Sequence, residues 1–240
     1  MAGRHDTLSR APLVEAVFEL RADTEGSITV LPGRMAVALE ADYPEVKETE
    51  AARFLAIAPL PPEAGFAATH QFRASDGKGL VQLGPMGLTV NAIVYPGFDA
   101  FRAAVSKVLD TYHAHASVVS VRRLGLRYVN RLAPHEDLLL SGLTASLTWP
   151  TIQDASVKSV ALRGIFGYPD PKGHLAIAIA APAQFPAPHQ AGRVLDLDFS
   201  SEPLCAMTAA DILSWVDRAH DRVYQAFRGM VDSKVFESWR

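Results

Sequence analysis

The chain carries two segments in which one side is mostly apolar and the other carries the charged side chains. The first covers positions 13–20, and its apolar side holds Val14, Ala16, Phe18 and Leu20, opposite Glu15 and Glu19. The second covers positions 124–132 and begins the other half of the chain. Successive residues of a strand point to opposite faces of a sheet, so a period of two predicts strands with one buried face. Each half therefore begins with a predicted strand.

The rest of the first half predicts two helices and four short strands. Met35, Leu39 and Val46 follow Pro32 at helical spacing, and Pro44 is expected to end that helix. The strands are predicted at positions 53–58, 67–74, 79–83 and 87–95, with a tight turn at 75–78. A second helix is predicted at 98–113, because its apolar residues recur on one face.

The second half repeats this order of elements. After a strand at 121–132, a short helical segment is predicted at 135–143, followed by strands at 144–149, 156–166, 173–181 and 193–199. A loop at 168–173 is expected to join two of these strands as a hairpin. The last helix covers 211–227, with Thr208 as its N-cap and Asp211 as a weak capping-box partner. Its apolar stripe consists of Ile212, Val216, Ala219, Val223 and Phe227.

The two halves align at a nearly constant shift, which predicts an internal duplication. A shift of 114 residues places Phe101 on Trp215 and Val105 on Ala219. The predicted fold is α+β: a mostly antiparallel sheet with helices on one face, in two pseudo-repeats of strand–helix–strands–helix. Residues 1–240 are expected to form a single unit, with the pseudo-repeats at 10–116 and 117–240. The alternative is an ordinary α+β domain whose elements fall in this order by coincidence.

Composition limits the classes of function. The formal charge of −3 gives no global attraction to nucleic acid or anionic membrane, and aromatic residues make up only 8% of the chain. Nucleic-acid binding is therefore disfavoured. The lone Cys205 excludes an internal disulfide, no apolar run approaches membrane-spanning length, and the N-terminus lacks the apolar segment of a secretory signal. A cytoplasmic protein without membrane association is expected.

The segment around Arg127 is the main candidate for binding chemistry. Arg123, Arg127 and Arg131 fall on one side of the predicted strand, and three guanidinium groups in a row are suited to binding phosphate or carboxylate. The alternative is internal pairing with acidic residues on neighbouring strands, which would stabilise the sheet. The acidic residues available for such pairing are Glu15, Glu19, Asp196 and Asp198.

Other polar residues give weaker signals. Asn130 interrupts an apolar side of the strand, so it is expected to bind a backbone group or, less favourably, a ligand. Asp196 and Asp198 share a side and would offer a hard cation two ligands, which is too few for a recognisable site. His220 adjoins an apolar stripe and predicts a core or interface histidine, and Cys205 predicts a buried, inert thiol. The sequence contains no catalytic, metal-binding or phosphate-loop motif, and no catalytic residue, metal or cofactor is predicted.

Two further segments bear on assembly. Positions 175–180 are apolar on both sides, so the strand must lie inside the fold or against a second subunit. A homodimer contact is predicted there. The end of the chain retains Phe236 and Trp239 beyond the last helix and is expected to pack onto the fold.

Segments 12–20 and 125–131, together with the C-terminal helix that contains His220 and Phe227, resemble a sporadically distributed family of prokaryotic proteins of roughly this length. The resemblance covers almost the whole chain. It implies a single full-length unit and brings no activity, cofactor or catalytic residue with it. The patchy distribution associates the family with mobile or accessory genes.

These observations favour a non-catalytic cytosolic binding or interaction module that forms a homodimer and contacts a protein partner or a small anionic ligand. The alternative is an anion- or nucleotide-binding protein, with or without enzymatic activity, that uses the arginine row. The candidate ligand-binding residues are Arg123, Arg127, Arg131, Asn130, Asp196 and Asp198.

Overall fold

The computed structural model describes residues 8, 10–25, 28–52, 68–133, 160–183 and 192–240. Within these residues, nine strands form one antiparallel sheet in the spatial order β2-β3-β4-β5-β1-β6-β9-β8-β7. The strands are β1 Leu13–Glu25, β2 Glu45–Ala52, β3 Ala68–Arg73, β4 Gly79–Gly84, β5 Gly87–Ala92, β6 Ser117–Leu132, β7 Val160–Pro169, β8 Lys172–Ala183 and β9 Gly192–Ser201. The helices are α1 Leu31–Leu39, preceded by a 3-10 turn at Ile28–Val30, α2 Phe98–His115, α3 Ala209–Met230 and α4 Ser233–Glu237. None of these described helices is long and apolar enough to cross a membrane.

The two alternating segments lie side by side at the centre of the sheet. In the β1–β6 ladder, Phe18 lies opposite Leu126 and Val17 opposite Arg127. Over residues 15–21 and 123–129, even positions of both strands therefore share one side of the sheet, and odd positions share the other. This register places the apolar sides together, where Phe18, Leu20, Leu124 and Leu126 are fully buried.

The apolar side of the central strands belongs to one hydrophobic core with the long helices. The helical members of that core include Phe101, Val105 and Leu109 of α2 and Trp215, Ala219 and Val223 of α3. Burying a large apolar side chain contributes roughly 1.5–3 kcal/mol, so this core is a major source of stability. Arg102 and Asp217 also join α2 to α3, with Nε to Oδ1 at 2.6 Å and Nη2 to Oδ2 at 2.9 Å.

The helix predicted at 211–227 is confirmed, together with its cap. Thr208 accepts a hydrogen bond from the Asp211 backbone N–H, and the Asp211 carboxylate accepts one from the Thr208 backbone N–H. The predicted stripe from Ile212 to Phe227 is buried. Beyond α3, Phe236 and Trp239 pack against Phe227, so the predicted packing of the C-terminal segment is also confirmed.

Several boundaries differ from the sequence prediction. Helix α1 buries Met35 and Leu39 as expected, but the assignment of Val46 to it is wrong: Val46 lies on β2, opposite Phe72. Proline restricts the residue before it to extended backbone, and the helix ends at Leu39, ahead of Pro44. The strand predicted at 53–58, the helix at 135–143 and the strand at 144–149 lie outside the described residues.

Both predicted hairpin turns are present. The β3–β4 turn closes through Gly77, whose φ of 69° is costly for residues with a Cβ, and Asp76 accepts a hydrogen bond from the Lys78 backbone N–H. The β7–β8 turn is shorter than the predicted loop, because Pro169 already pairs with Lys172.

Candidate functional site: a buried ionic row on the central strands

The arginine row, defined as Arg123, Arg127 and Arg131, runs along β6 on the side opposite the hydrophobic core. The cross-strand register brings acidic residues of both neighbouring strands to the same side. Val129 lies opposite Glu15 on β1 and opposite Asp196 on β9, and Arg127 lies opposite Asp198. Side chains of directly opposed and diagonal positions reach one another in an antiparallel sheet, so the arginines meet these carboxylates.

Arg127 forms a bidentate ion pair with Asp196. Its Nε lies 2.8 Å from Oδ1 and its Nη2 lies 2.6 Å from Oδ2. Arg127 is 6% exposed and Asp196 is 5% exposed. The planar guanidinium matches both carboxylate oxygens, and a pair of parallel hydrogen bonds is the strongest arrangement available to these groups.

Arg123 is held by carboxylates from both sides. Its Nη1 donates to Glu19 on β1, and its Nη2 lies 3.0 Å and 3.2 Å from the two oxygens of Asp198 on β9. Gly125 makes room for this arrangement, because a Cβ at that position would meet the Arg123 guanidinium. The predicted internal pairing is thus confirmed for Arg123 and Arg127.

The end of the row is anchored through the backbone. The Arg131 backbone N–H donates to the Pro12 carbonyl at 2.8 Å, and the Arg131 side chain is half-buried. Asn130, on the core side, donates from Nδ2 to the Leu195 carbonyl at 3.2 Å and lies 3.5 Å from the Tyr128 carbonyl. The prediction that Asn130 binds a backbone group is therefore confirmed.

A neutral polar chain continues from the ionic row toward β4. Asn91 donates from Nδ2 to Glu15 Oε1 at 3.1 Å, and the Thr89 hydroxyl lies 2.9 Å from Asn91 Oδ1 and 3.2 Å from Gln82 Oε1. Gln82, Thr89 and Asn91 are all buried. Because buried polar groups are costly when unpaired, this series of hydrogen bonds stabilises one arrangement of the three strands β1, β5 and β4.

Burial and neighbouring charges set the ionisation of this site. Burial raises the pKa of the Glu15 carboxyl, and the Asn91 amide and the Arg127 charge oppose that rise only in part. Burial alone would lower the pKa of the Arg127 guanidinium, but the hydrogen bonds and charge of Asp196 outweigh burial and raise it. Arg127 is therefore a permanent cation. Burial also raises the pKa of the Asp196 carboxyl, against the opposing hydrogen bonds and charge of Arg127.

A second buried polar group lies on the core side. The Tyr128 hydroxyl is 2.8 Å from His220 Nδ1, and the His220 ring stacks on Phe98 with centroids 3.7 Å apart. Burial raises the pKa of Tyr95, which is hydrogen-bonded to Tyr128, to about 12, and raises that of Tyr128 well above its usual range. Both phenols are therefore protonated at neutral pH. The core histidine predicted at position 220 is confirmed.

Sequence reasoning missed the connections among these residues. Tyr95, Tyr128 and His220 come from three separate elements, and their only sequence signal is polar groups within apolar patterns. The chain of Gln82, Thr89 and Asn91 had a clearer signal, since it forms the polar side of two adjacent predicted strands.

The weaker candidates have other roles. Asp196 and Asp198 share a side, as expected, but they bind arginines, and no group of residues in the described ranges is arranged to hold a metal ion. His113 lies within hydrogen-bonding distance of the Leu109 and Met207 carbonyls. The prediction of a buried thiol is wrong: Cys205 is exposed, because it lies in the connection between β9 and α3.

Comparison with known proteins identifies no family. No family model matches the chain, and no curated protein matches it. Among solved structures, one match is the TBP of Methanococcus jannaschii, with 12% identity, a TM-score of 0.25, and coverage of 90% of this chain and 98% of that chain. At this TM-score the match carries no argument about fold or function.

Proposed function

We propose that this chain is a non-catalytic cytosolic interaction module that acts as a homodimer. The observation that supports the proposal is the internal pairing of two of the three arginines of the row, Arg123 and Arg127. Arg127 is buried against Asp196, and Arg123 lies between Glu19 and Asp198. These arginines have the geometry of a sheet-stabilising network, and the lone cysteine in 240 residues fits a reducing compartment.

An anionic ligand would have to compete with these carboxylates. To reach Arg127, a phosphate would have to displace the bidentate carboxylate of Asp196. The Asp196 charge would then stay buried without its cation. Removing one member of a buried ion pair costs about 3–5 kcal/mol, which a new contact must first offset. This cost argues against the alternative of an anion- or nucleotide-binding protein.

We also propose that residues 10–116 and 117–240 are pseudo-repeats with the helices on one face of the sheet. The strand order supports this, because β5, β4 and β3 follow outward from β1 as β9, β8 and β7 follow outward from β6. Each series precedes a long helix in the chain, α2 or α3. We propose further that the chain is a member of the sporadically distributed prokaryotic family that it resembles. That resemblance implies a single full-length unit, as the joined pseudo-repeats do.

Isothermal titration calorimetry with inorganic pyrophosphate and with ATP tests the interaction-module proposal against the anion-binding alternative. We expect no saturable binding by the wild-type protein. The matched variant is the double substitution R127M/D196L, which replaces both members of the buried pair with apolar groups, so that neither is left without its partner. Saturable binding by the wild type that is lost in a folded R127M/D196L protein would establish the anion-binding alternative instead.

A further inference from the structure

The sheet has two ends of different chemistry. Strand β2 forms one end, and its exposed residues Glu45, Lys47 and Glu48 place charges along it. Strand β7 forms the other end, and among the described strands it pairs with β8 alone. Charged side chains on an edge strand disfavour pairing with another chain, whereas an uncharged edge permits it. Over its ten residues, β7 carries one charged side chain, that of Arg163.

Strand β7 exposes apolar side chains on both sides of the sheet at its centre. Ile165 is 62% exposed and Phe166 is 37% exposed, and as neighbours on a strand they point to opposite faces. Gly164 and Gly167 flank them, and a Cβ added at Gly167 would meet no atom within 4 Å. A backbone can therefore approach this edge closely and cover apolar surface on both faces at once.

This edge is held in place by α3. Arg222 donates from Nε and Nη2 to the Asp170 carbonyl at 3.0 Å and 2.8 Å, and Arg218 donates from Nη1 to the Asp170 carboxylate at 3.1 Å. Arg222 also lies over the Tyr168 ring, 5.7 Å from its centroid. Because the β7–β8 hairpin is anchored at its turn, little conformational entropy remains to be lost when β7 gains a partner.

The dimer contact predicted at 175–180 stays a prediction, and the sheet order shows that this strand offers no free edge among the described strands. Strand β8 lies between β7 and β9, so both of its edges are paired within the chain. Leu175, Ile177 and Ile179 are buried in the core. The segment at 175–180, which is apolar on both sides, therefore lies inside the sheet. Its neighbour β7 forms the edge.

We propose that β7 pairs antiparallel with β7 of a second copy, which joins the two sheets across a two-fold axis near Gly164 and Ile165. This proposal rests on the interaction-module function and adds the site and the partner. A strand paired with its own copy forms an isologous contact that closes at two subunits. The charged β2 edge prevents growth from the opposite end, so a dimer is favoured over a fibre.

The size of the contact sets the expected strength. Ten strand residues span about 33 Å, and a contact confined to one strand buries well under the roughly 800 Å² per partner of a standard interface. The near-neutral edge also lacks the charge complementarity that would select an acidic or basic peptide. We therefore expect a reversible dimer with a dissociation constant in about the micromolar range.

Sedimentation velocity over a series of protein concentrations tests the dimer, and two edge variants test its location. We expect the wild-type protein to shift from monomer to dimer as concentration rises. I165K and F166E place a charge on opposite sides of the edge, and each is expected to weaken the dimer by at least about tenfold. The matched control is V46K, which makes the same aliphatic-to-lysine change on the β2 edge and is expected to leave the dimer unchanged.

Hydrogen exchange at residues 160–169 provides a second readout that does not depend on a variant. We expect backbone amides of β7 to become more protected at concentrations where the dimer forms, while those of β2 stay the same. A dimer that persists in both I165K and F166E, without concentration-dependent protection of β7, would overturn the location. A wild-type protein that stays monomeric at every concentration would overturn the dimer, and the pyrophosphate titration would still decide the non-catalytic proposal separately.

Discussion

Arg127 and Asp196 show how single residues determine the character of this sheet. Both side chains are charged and both are buried, so each requires the other. Their exchange for apolar residues of similar size is often neutral or stabilising, whereas the loss of one partner leaves an uncompensated charge. We therefore expect the pair to contribute more to specifying the β6–β9 register than to the net free energy of folding.

R127M alone is expected to destabilise the protein by about 3–5 kcal/mol, because Asp196 then remains buried without its partner. R127M/D196L is expected to regain most of that loss. Urea denaturation of the purified variants measures both changes. R122M is the control: Arg122 is 68% exposed in its pair with Asp23, so its loss should cost at most about 1 kcal/mol. Equal losses for R127M and R122M would contradict the importance of burial.

Glu15 gives the fold a pH dependence of defined sign. Its pKa in the folded protein is raised above the ordinary value of 4.5. Between these two values the folded state binds more protons than the unfolded state, so this group's contribution to stability is lost as pH rises. E15Q removes that titration, and its stability relative to wild type should increase from about pH 4 to about pH 7.

Urea denaturation of E15Q and wild type across that pH range measures the trend. E40Q, at an exposed glutamate, is the control and should follow the wild-type profile. If the free energies of unfolding of E15Q and wild type changed in parallel over the whole pH range, Glu15 would have the same pKa in the folded and unfolded states.

Local pattern predicts most individual elements correctly. The alternation at 13–20 identifies β1, and the stripe from Ile212 to Phe227 identifies α3 with its cap. Val46 was assigned to the helix because it matches the helical spacing, although it follows Pro44, the residue expected to end that helix. Cys205 was misjudged because exposure depends on what packs around a connection, which apolar neighbours in sequence do not reveal.

The capping box of α3 provides a prediction for an element. T208A removes the oxygen that accepts the Asp211 backbone N–H and should cost about 1 kcal/mol of stability. Thermal or urea denaturation measures this loss. T111A is the control, since Thr111 lies inside α2 and donates only to the Lys107 carbonyl, and alanine has the higher helix propensity there. A loss in T111A equal to that in T208A would contradict a specific capping effect.

Across the whole molecule, the sequence predicts which segments form strands better than it predicts which strands lie next to one another. The antiparallel sheet and the charge pairs of the arginine row follow from alternation and from complementary charges. The position of β1 between β5 and β6 does not, because local spacing carries no information about partners that are distant in sequence. The candidate site was therefore predicted as a set of residues, and its closed, neutralised geometry came only from the sheet order.

The central β1–β6 ladder has a consequence for synthesis. Residues near Leu20 leave the ribosome more than a hundred residues ahead of Leu132, and at typical elongation rates that interval is on the order of 10 s. Until β6 emerges, nascent β1 has one open edge and an uncovered row of large apolar side chains. Exposed apolar surface and open strand edges make such intermediates prone to aggregate, so we expect the yield to depend on chaperone capacity and on translation speed through the middle of the message.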